Sequence, residues 1–447
     1  MDVFTPTKPA QLTFVEREEV NAQLVDALRT PGKQVVVYGP SGSGKTTLLL
    51  NKLHQLYPDH ITSRCTAATT FESLLLTAFD LLEPFYSSEA SLKRGRSISA
   101  SLGQDYFKIK SSIQATTTQE TQIKLSRLLP PQLTPQRLAQ FCGAASCCWV
   151  LEDLHKVPVS EKTKVSHIMK VFMDTAAEYR DVKIVAIGAV DSAREVIQYD
   201  PDMRNRVAEV AVPLMSEEEL LSVLDKGESL LKMSFGDVKG EIASYSSGLA
   251  AVCHQLSLNI CFAADIYETC DTFVMVSQEQ LRAALERYLK DASDTLKAVF
   301  DLALRRQRSR RFDNTRLILG ALTHLGSSGG TYAQILEEVK RREPAYPPGN
   351  ATTYLRELQA PNRGEILRFD SVAAKYYFSD PLYLAYGQCL FRPKKHKVQI
   401  KFDILGMKFS FDQELTEFAE RLKEMGNQQR QQLTKPSTGH AKRPRAG

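Results

Sequence analysis

One eight-residue stretch constrains this chain more than any other. Gly39-Pro40-Ser41-Gly42-Ser43-Gly44-Lys45-Thr46 follows the β-branched run Gln34-Val35-Val36-Val37-Tyr38 and precedes the helix-forming run Leu48-Leu49-Leu50-Asn51-Lys52-Leu53. It fits G-x-x-x-x-G-K-[ST] at every defined position, with a strand before it and a helix after it. Glycines let the backbone take positive φ and curl so that successive N–H groups point inward at phosphate oxygens. The helix start adds its partial positive charge. The residues 39–47, Gly39, Pro40, Ser41, Gly42, Ser43, Gly44, Lys45, Thr46 and Thr47, are therefore the predicted cradle for ATP. Lys45 would neutralise β/γ-phosphate charge, and the Thr46 hydroxyl would ligate Mg²⁺.

Such a loop needs an acidic partner at the end of a neighbouring strand. Cys147-Cys148-Trp149-Val150-Leu151 is an apolar run ending in Glu152-Asp153. One carboxylate would hold Mg²⁺ or its waters while the other orients and deprotonates the attacking water. We place Glu152 toward the metal and Asp153 toward the water; the reverse assignment uses the same chemistry. The strand-like Val182–Ile187 run is followed by Gly188-Ala189-Val190-Asp191, which puts Asp191 where a γ-phosphate-sensing side chain would sit. Arg204 and Arg206 precede the strand-like stretch 207–212. They read equally as a finger toward a neighbour's γ-phosphate or as a surface pair.

Strands at 34–38, 61–65, 147–151 and 182–187 alternate with helical patterns, which gives an α/β class with a mostly parallel sheet. The predicted core is a P-loop NTPase three-layer α/β/α unit over residues 1–214. Within it, residues 92–118 alternate apolar and polar around Gly103-Gln104-Asp105. That pattern predicts an inserted β-hairpin, the other reading being a serine-rich loop. Ser216-Glu217-Glu218-Glu219 is a capping box opening a helical lid over 215–290. A winged-helix (α+β) domain over 291–395 follows from the order of three helices (315–325, 332–341, 351–358) and two strands (365–369, 375–378). Residues 396–426 form an extension and 427–447 a basic, glutamine-rich tail expected to be disordered.

Composition narrows the partners. The 447 residues are 43% hydrophobic and 24% charged, ordinary globular usage. The net charge of +5 is wholly accounted for by Arg430, Lys435, Lys442, Arg443 and Arg445 in the tail, so any nucleic-acid surface has to be local. Arg305, Arg306, Arg308, Arg310 and Arg311 form one such cluster. Thr352, Thr353 and Arg356, on the third helix of the winged-helix region, are the others proposed for duplex DNA. That helix carries one arginine and one glutamate, and winged helices also dock proteins. No apolar run is long enough to span a bilayer and the start MDVFTPTKPA has no signal architecture, so no membrane partner is expected and a cytoplasmic (or, in a eukaryote, nuclear) location is. The eight cysteines match no zinc pattern and read as reduced core residues.

Residues 14–266 resemble the AAA+ and STAND branch of P-loop ATPases. The likeness rests on Phe14-Val15-Glu16-Arg17-Glu18, the P-loop, Glu152-Asp153, Asp191, Arg204/Arg206 and the lid. Relatives begin with a Phe-Val-Gly-Arg-Glu-like box that cradles adenine; here Glu16 replaces the glycine. Many carry a sensor arginine in the lid after a glycine turn, whereas Gly248-Leu249-Ala250-Ala251-Val252-Cys253-His254 has none, leaving His254 as a substitute or a structural residue. The C-terminal third resembles the winged-helix module of replication-initiator ATPases. Tyr377-Phe378-Ser379-Asp380-Pro381-Leu382-Tyr383 resembles a strand ending found in prokaryotic ATPases of this kind. The resemblance implies an ATPase switch that self-assembles with ATP bound. It acts either on DNA or, in the signalling or defence manner, by activating a separate effector protein.

Overall fold

The computed structural model describes residues 2–57, 59–86, 100–119, 131–188, 203, 205–305, 311–392, 402–404 and 407–409. Chain contacts divide it into residues 1–390 and 391–447.

The first unit is organised around a five-stranded sheet. Gln34–Tyr38 (β1), His60–Arg64 (β2), Cys148–Glu152 (β3), Lys183–Gly188 (β4) and Val207–Ala211 (β5) run parallel in the order β2-β3-β4-β1-β5. Alternate residues of each strand go to opposite faces, as the pleat requires. Val36, Ile61, Trp149, Leu151, Ile184 and Ala186 pack on one side beneath the helices Phe71–Leu81, Pro135–Ala144 and Val159–Thr175. Val35, Val37, Cys148, Val150, Val185 and Ile187 pack on the other, against Glu18–Arg29 and Lys45–Leu56. Both faces are covered, so the central strands are buried almost without interruption. This is the expected α/β/α core. Because all strands point the same way, the P-loop, Glu152-Asp153 and Arg64 all emerge at one end of the sheet. The acidic strand is not the immediate neighbour of the P-loop strand, however, since β4 lies between them.

The inserted segment departs from expectation. Residues 100–119 form a helix, Ala100–Gln119, not a hairpin arm. The physical reason is in its apolar positions: Leu102, Tyr106, Ile109 and Ile113 recur at helical spacing and join the core beside Phe79 and Phe141. Tyr106 stacks on Phe79 and Tyr86 with ring centroids 4.3 and 4.5 Å apart, and its hydroxyl donates to the Phe79 carbonyl at 2.8 Å. Residues 92–99 lie outside the described residues.

After β5 come four helices, Glu217–Leu231, Lys239–Ser246, Ala250–Ala263 and Gln278–Asp291, with a small parallel pair, Met233–Ser234 (β6) and Val274–Met275 (β7). The predicted capping box is present: Ser216 Oγ accepts from the Glu219 N–H at 3.1 Å, and Glu219 Oε2 accepts from the Ser216 N–H at 2.9 Å. The helices Asp294–Leu304, Asn314–Leu325, Tyr332–Arg342 and Pro348–Glu357 follow. The antiparallel strands Leu367–Asp370 (β8) and Lys375–Phe378 (β9), with a bridge from Gly330 to Tyr376, complete the winged-helix arrangement. The helix Pro381–Phe391 closes it. In the second unit, Phe402–Ile404 (β10) and Met407–Phe409 (β11) pair antiparallel; the predicted tail lies outside the described residues. Among the described residues no helix is long and apolar enough to cross a membrane.

Candidate nucleotide site

At the carboxyl end of the sheet, the P-loop borders a cleft of about 600 Å³. Its backbone has the conformation the motif demands: Gly39, Gly42 and Gly44 have φ of 154°, 78° and 91°. Gly39 is required for a second reason. A Cβ there would stand 2.2 Å from the Val212 carbonyl oxygen, which passes directly over the loop. Residues Ser41 to Thr47 line the cleft together with Glu152 and Asp153, so the two predicted clusters meet in one place.

The polar groups of the loop are poised for an anion. Lys45 Nζ donates to the carbonyls of Gly39 and Pro40 at 2.9 and 2.7 Å. Burial pulls its pKa below the ordinary lysine value, and the Asp153 carboxylate opposes that shift. Ser43 is 2% exposed, yet its hydroxyl has no hydrogen-bond partner. A buried orphan hydroxyl is costly unless a ligand supplies the missing bond. A phosphate group fits these residues.

The acids are each held by a cation. Glu152 Oε2 accepts from Arg64 Nε at 3.3 Å, the two residues being cross-strand partners on β2 and β3. Asp153 takes a left-handed conformation (φ 59°, ψ 35°), and its Oδ2 accepts from Lys156 Nζ at 2.7 Å. Aspartate tolerates that region of backbone space better than most residues. Thr46, the predicted magnesium ligand, sits on the same cleft as Glu152. A hydroxyl and a carboxylate on one cleft are an oxygen donor set suited to Mg²⁺.

The remaining predicted residues divide. Arg206 does not join its own chain's cleft. It lies at the amino end of β5, the opposite end of the sheet, where Nη1 donates to Asp174 Oδ1 at 3.0 Å. Asp191 and Arg204 lie outside the described residues, as do Arg306, Arg308 and Arg310. Arg305 ends its helix, and its carbonyl accepts from Arg363 Nη1 at 2.6 Å. Arg311 stacks on Phe312. Thr352, Thr353 and Arg356 share the exposed face of Pro348–Glu357, while Ala351, Tyr354 and Leu355 face inward.

Several contacts at the cleft are not visible in local sequence. Glu16, which stands where relatives have glycine, accepts from Lys52 Nζ on the P-loop helix at 2.8 Å and neutralises a lysine only 5% exposed. Its neighbour Arg17 faces the other way. It donates to the carbonyls of Pro213 and Leu214 at 3.0 and 3.1 Å and to Glu219 Oε1 at 3.1 Å. Lys226 reaches the Phe14 carbonyl. The box thus ties the core to the first lid helix. The Ala251 N–H donates to the Gly42 carbonyl at 3.4 Å, so the third lid helix starts against the P-loop itself. His254, on that helix, lines the cleft but is no charged sensor. Burial lowers its pKa to about 4, and Nδ1 accepts from the Thr5 N–H at 3.1 Å.

Comparison with known proteins agrees with this geometry. Residues 13–230 match the family described as AAA ATPase domain. No curated protein matches the sequence. Among solved structures, the Walker-type ATPase paby2304 of Pyrococcus abyssi superposes with a TM-score of 0.50 at 13% identity, covering 87% of this chain and 100% of that one. At this identity the likeness is one of fold. Cdc6p from Pyrobaculum aerophilum (TM-score 0.40, 15% identity, 87% of this chain, 97% of that one) also matches. So does the Aeropyrum pernix ORC1 protein solved in complex with DNA (0.42, 15%, 87% and 96%). With the P-loop cradle, the parallel sheet and the family match over one region, residues 13–230 are an AAA ATPase domain.

Proposed function

We propose that the chain is an ATP-driven switch that binds and hydrolyses ATP with Mg²⁺ at the P-loop and passes the nucleotide state to its winged-helix region. The observation that carries this reading is the shared boundary of core and lid around the cleft: Gly42 to Ala251, Arg17 to Glu219, and the cleft lining drawn from both. A ligand that touches both sides biases the closed arrangement, and losing the γ-phosphate removes part of that bias. Bound magnesium would polarise the phosphoryl oxygens and neutralise their charge. Lys45 binds phosphate, Thr46 and Glu152 are the oxygen donors for the metal, and Asp153 takes the proton of the attacking water. Arg64 and Lys156 hold the two carboxylates in place. Arg206, at the amino end of β5 and paired with Asp174, is the residue we assign as a finger toward a neighbouring subunit in an ATP-bound oligomer.

Duplex DNA is the partner we favour, contacted by Thr352, Thr353 and Arg356 on the exposed helix face and by the arginine cluster at 305–311. A second reading has its own support. The hairpin exposes apolar side chains, Val372 at its tip (96% exposed) and Phe369 on β8 (45%), which suits docking of an effector protein. ATPase rate and sedimentation with and without duplex DNA, at two salt concentrations, separate the two, using a chain ending at Gly426 as well as the full chain. Stimulation that fades with salt supports DNA. Indifference to DNA in both measurements refutes it and leaves the effector reading.

A further inference from the structure

Residues 2–13 lie between the two halves of the nucleotide site. Phe4 is 2% exposed and buried in the lid, its ring 6.0 Å from those of Phe235 and His254. Gly227 makes room for it: a Cβ there would stand 2.2 Å from Phe4 Cζ. The Thr5 N–H is bound by His254 Nδ1. Farther along, the Ala10 carbonyl accepts from Asn51 Nδ2 on the P-loop helix at 3.3 Å, and Thr13 Oγ1 donates back to the Val3 carbonyl at 3.0 Å. Between these anchors, Thr5 to Ala10 line the same cleft as the P-loop. The Thr5 hydroxyl is buried and has no hydrogen-bond partner, as is true of Ser43 on the facing loop. Two orphan hydroxyls lining one cleft are unsatisfied until something polar enters it.

We propose that residues 3–10 form a strap that walls the nucleotide site, with the Thr5 hydroxyl as a contact to the bound nucleotide and Phe4 and His254 as positioning residues. The inference rests on the ATP reading above. His254 fixes the main chain of Thr5 while leaving its hydroxyl to the ligand, and Phe4 fixes the strap's end in the lid. Ligand release then requires the strap to leave one of its anchors, so strap contacts act chiefly on the nucleotide's dissociation rate and on KM.

The test uses the full chain and a fluorescent ATP analogue, with release followed by stopped flow and thermal unfolding recorded without nucleotide. Thr5→Val keeps the shape and removes the orphan hydroxyl. The apo protein should be at least as stable as wild type while release quickens about three- to tenfold. A purely structural hydroxyl would not split those two readouts. His254→Leu should speed release by a similar factor and raise KM more than it changes kcat. His254→Asn, whose side-chain oxygen can accept from the Thr5 N–H, should restore slow release. Wild-type release by both Thr5→Val and His254→Leu overturns the strap, and His254→Asn behaving as His254→Leu overturns the positioning role. Failure of wild type to bind the analogue at all refutes the ATP reading instead. If His254→Leu does not fold, Thr5→Val decides alone.

Discussion

A half-buried lysine and a buried one lie at opposite ends of the same sheet, and they differ in one respect that separates a site from a structural support. Lys183 opens β4 at the amino end and donates three hydrogen bonds, to the carbonyls of Ala27, Thr30 and Lys33 at 3.2, 2.8 and 2.7 Å. An ammonium has three N–H donors, so this one is saturated. It caps carbonyls in the last turn of the first helix and just after it, and burial lowers its pKa to about 8. Lys45, beyond the carboxyl end of β1, has carbonyl acceptors at Gly39 and Pro40 and stands on the 600 Å³ cleft with orphan hydroxyls around it. Both ammonium groups are desolvated, and only one has capacity and space for a ligand. A lowered lysine pKa therefore does not mark a site by itself; unsatisfied donors on an open cleft do.

That contrast predicts opposite outcomes for two substitutions. Lys45→Ala should weaken ATP binding by about 100-fold or more, the loss of a charge-assisted contact to phosphate, with thermal stability nearly unchanged. Lys183→Met should leave ATP affinity intact and cost about 2–4 kcal/mol in denaturant unfolding, because three carbonyls lose their donor. Similar affinity losses in both would erase the distinction. Next in size, Asp153→Asn should bind ATP at near wild-type affinity and turn it over about 100-fold more slowly, measured by phosphate release. Unchanged turnover would remove Asp153 from the water-orienting role.

A last expected effect concerns pH at the lid side of the cleft. His254 falls from 6.5 to about 4 through burial alone, so the folded protein favours the neutral ring while the unfolded chain takes the proton first. Stability present above about pH 6.5 is lost as the pH falls toward 4, by up to about 3 kcal/mol. The imidazolium also cannot accept from the Thr5 N–H. His254→Asn should flatten that window in chemical denaturation measured between pH 4 and 7; an unaltered profile would assign the loss to other groups.

Legibility in the sequence followed the range of the interactions. The P-loop was readable because its glycines, Lys45 and Thr46 are contiguous and their conformations are dictated locally. Strand ends were readable from apolar runs, which brought Glu152 and Asp153 to the right end of the sheet but not their distance in strand order, since β4 lies between. Within the described residues, 100–118 depart from the hairpin reading because serines between Ile98, Ala100 and Leu102 imitate a two-residue period, whereas Leu102, Tyr106, Ile109 and Ile113 keep the helical one. The Arg17–Glu219 and Thr5–His254 contacts join residues 202 and 249 positions apart, and no local pattern announces them. Arg363, 5% exposed and bonded to the Arg305 carbonyl and to Glu357, is equally silent: arginine on its own reads as surface.

The deciding measurement is equilibrium binding of ATP with Mg²⁺ to the purified wild-type chain and to Lys45→Ala, by calorimetry in one buffer. A saturable wild-type isotherm that disappears in Lys45→Ala, with both proteins unfolding at the same temperature, is the expected result. A wild-type chain with no heat of binding, or a variant that binds as well as wild type, would contradict a nucleotide site at this loop.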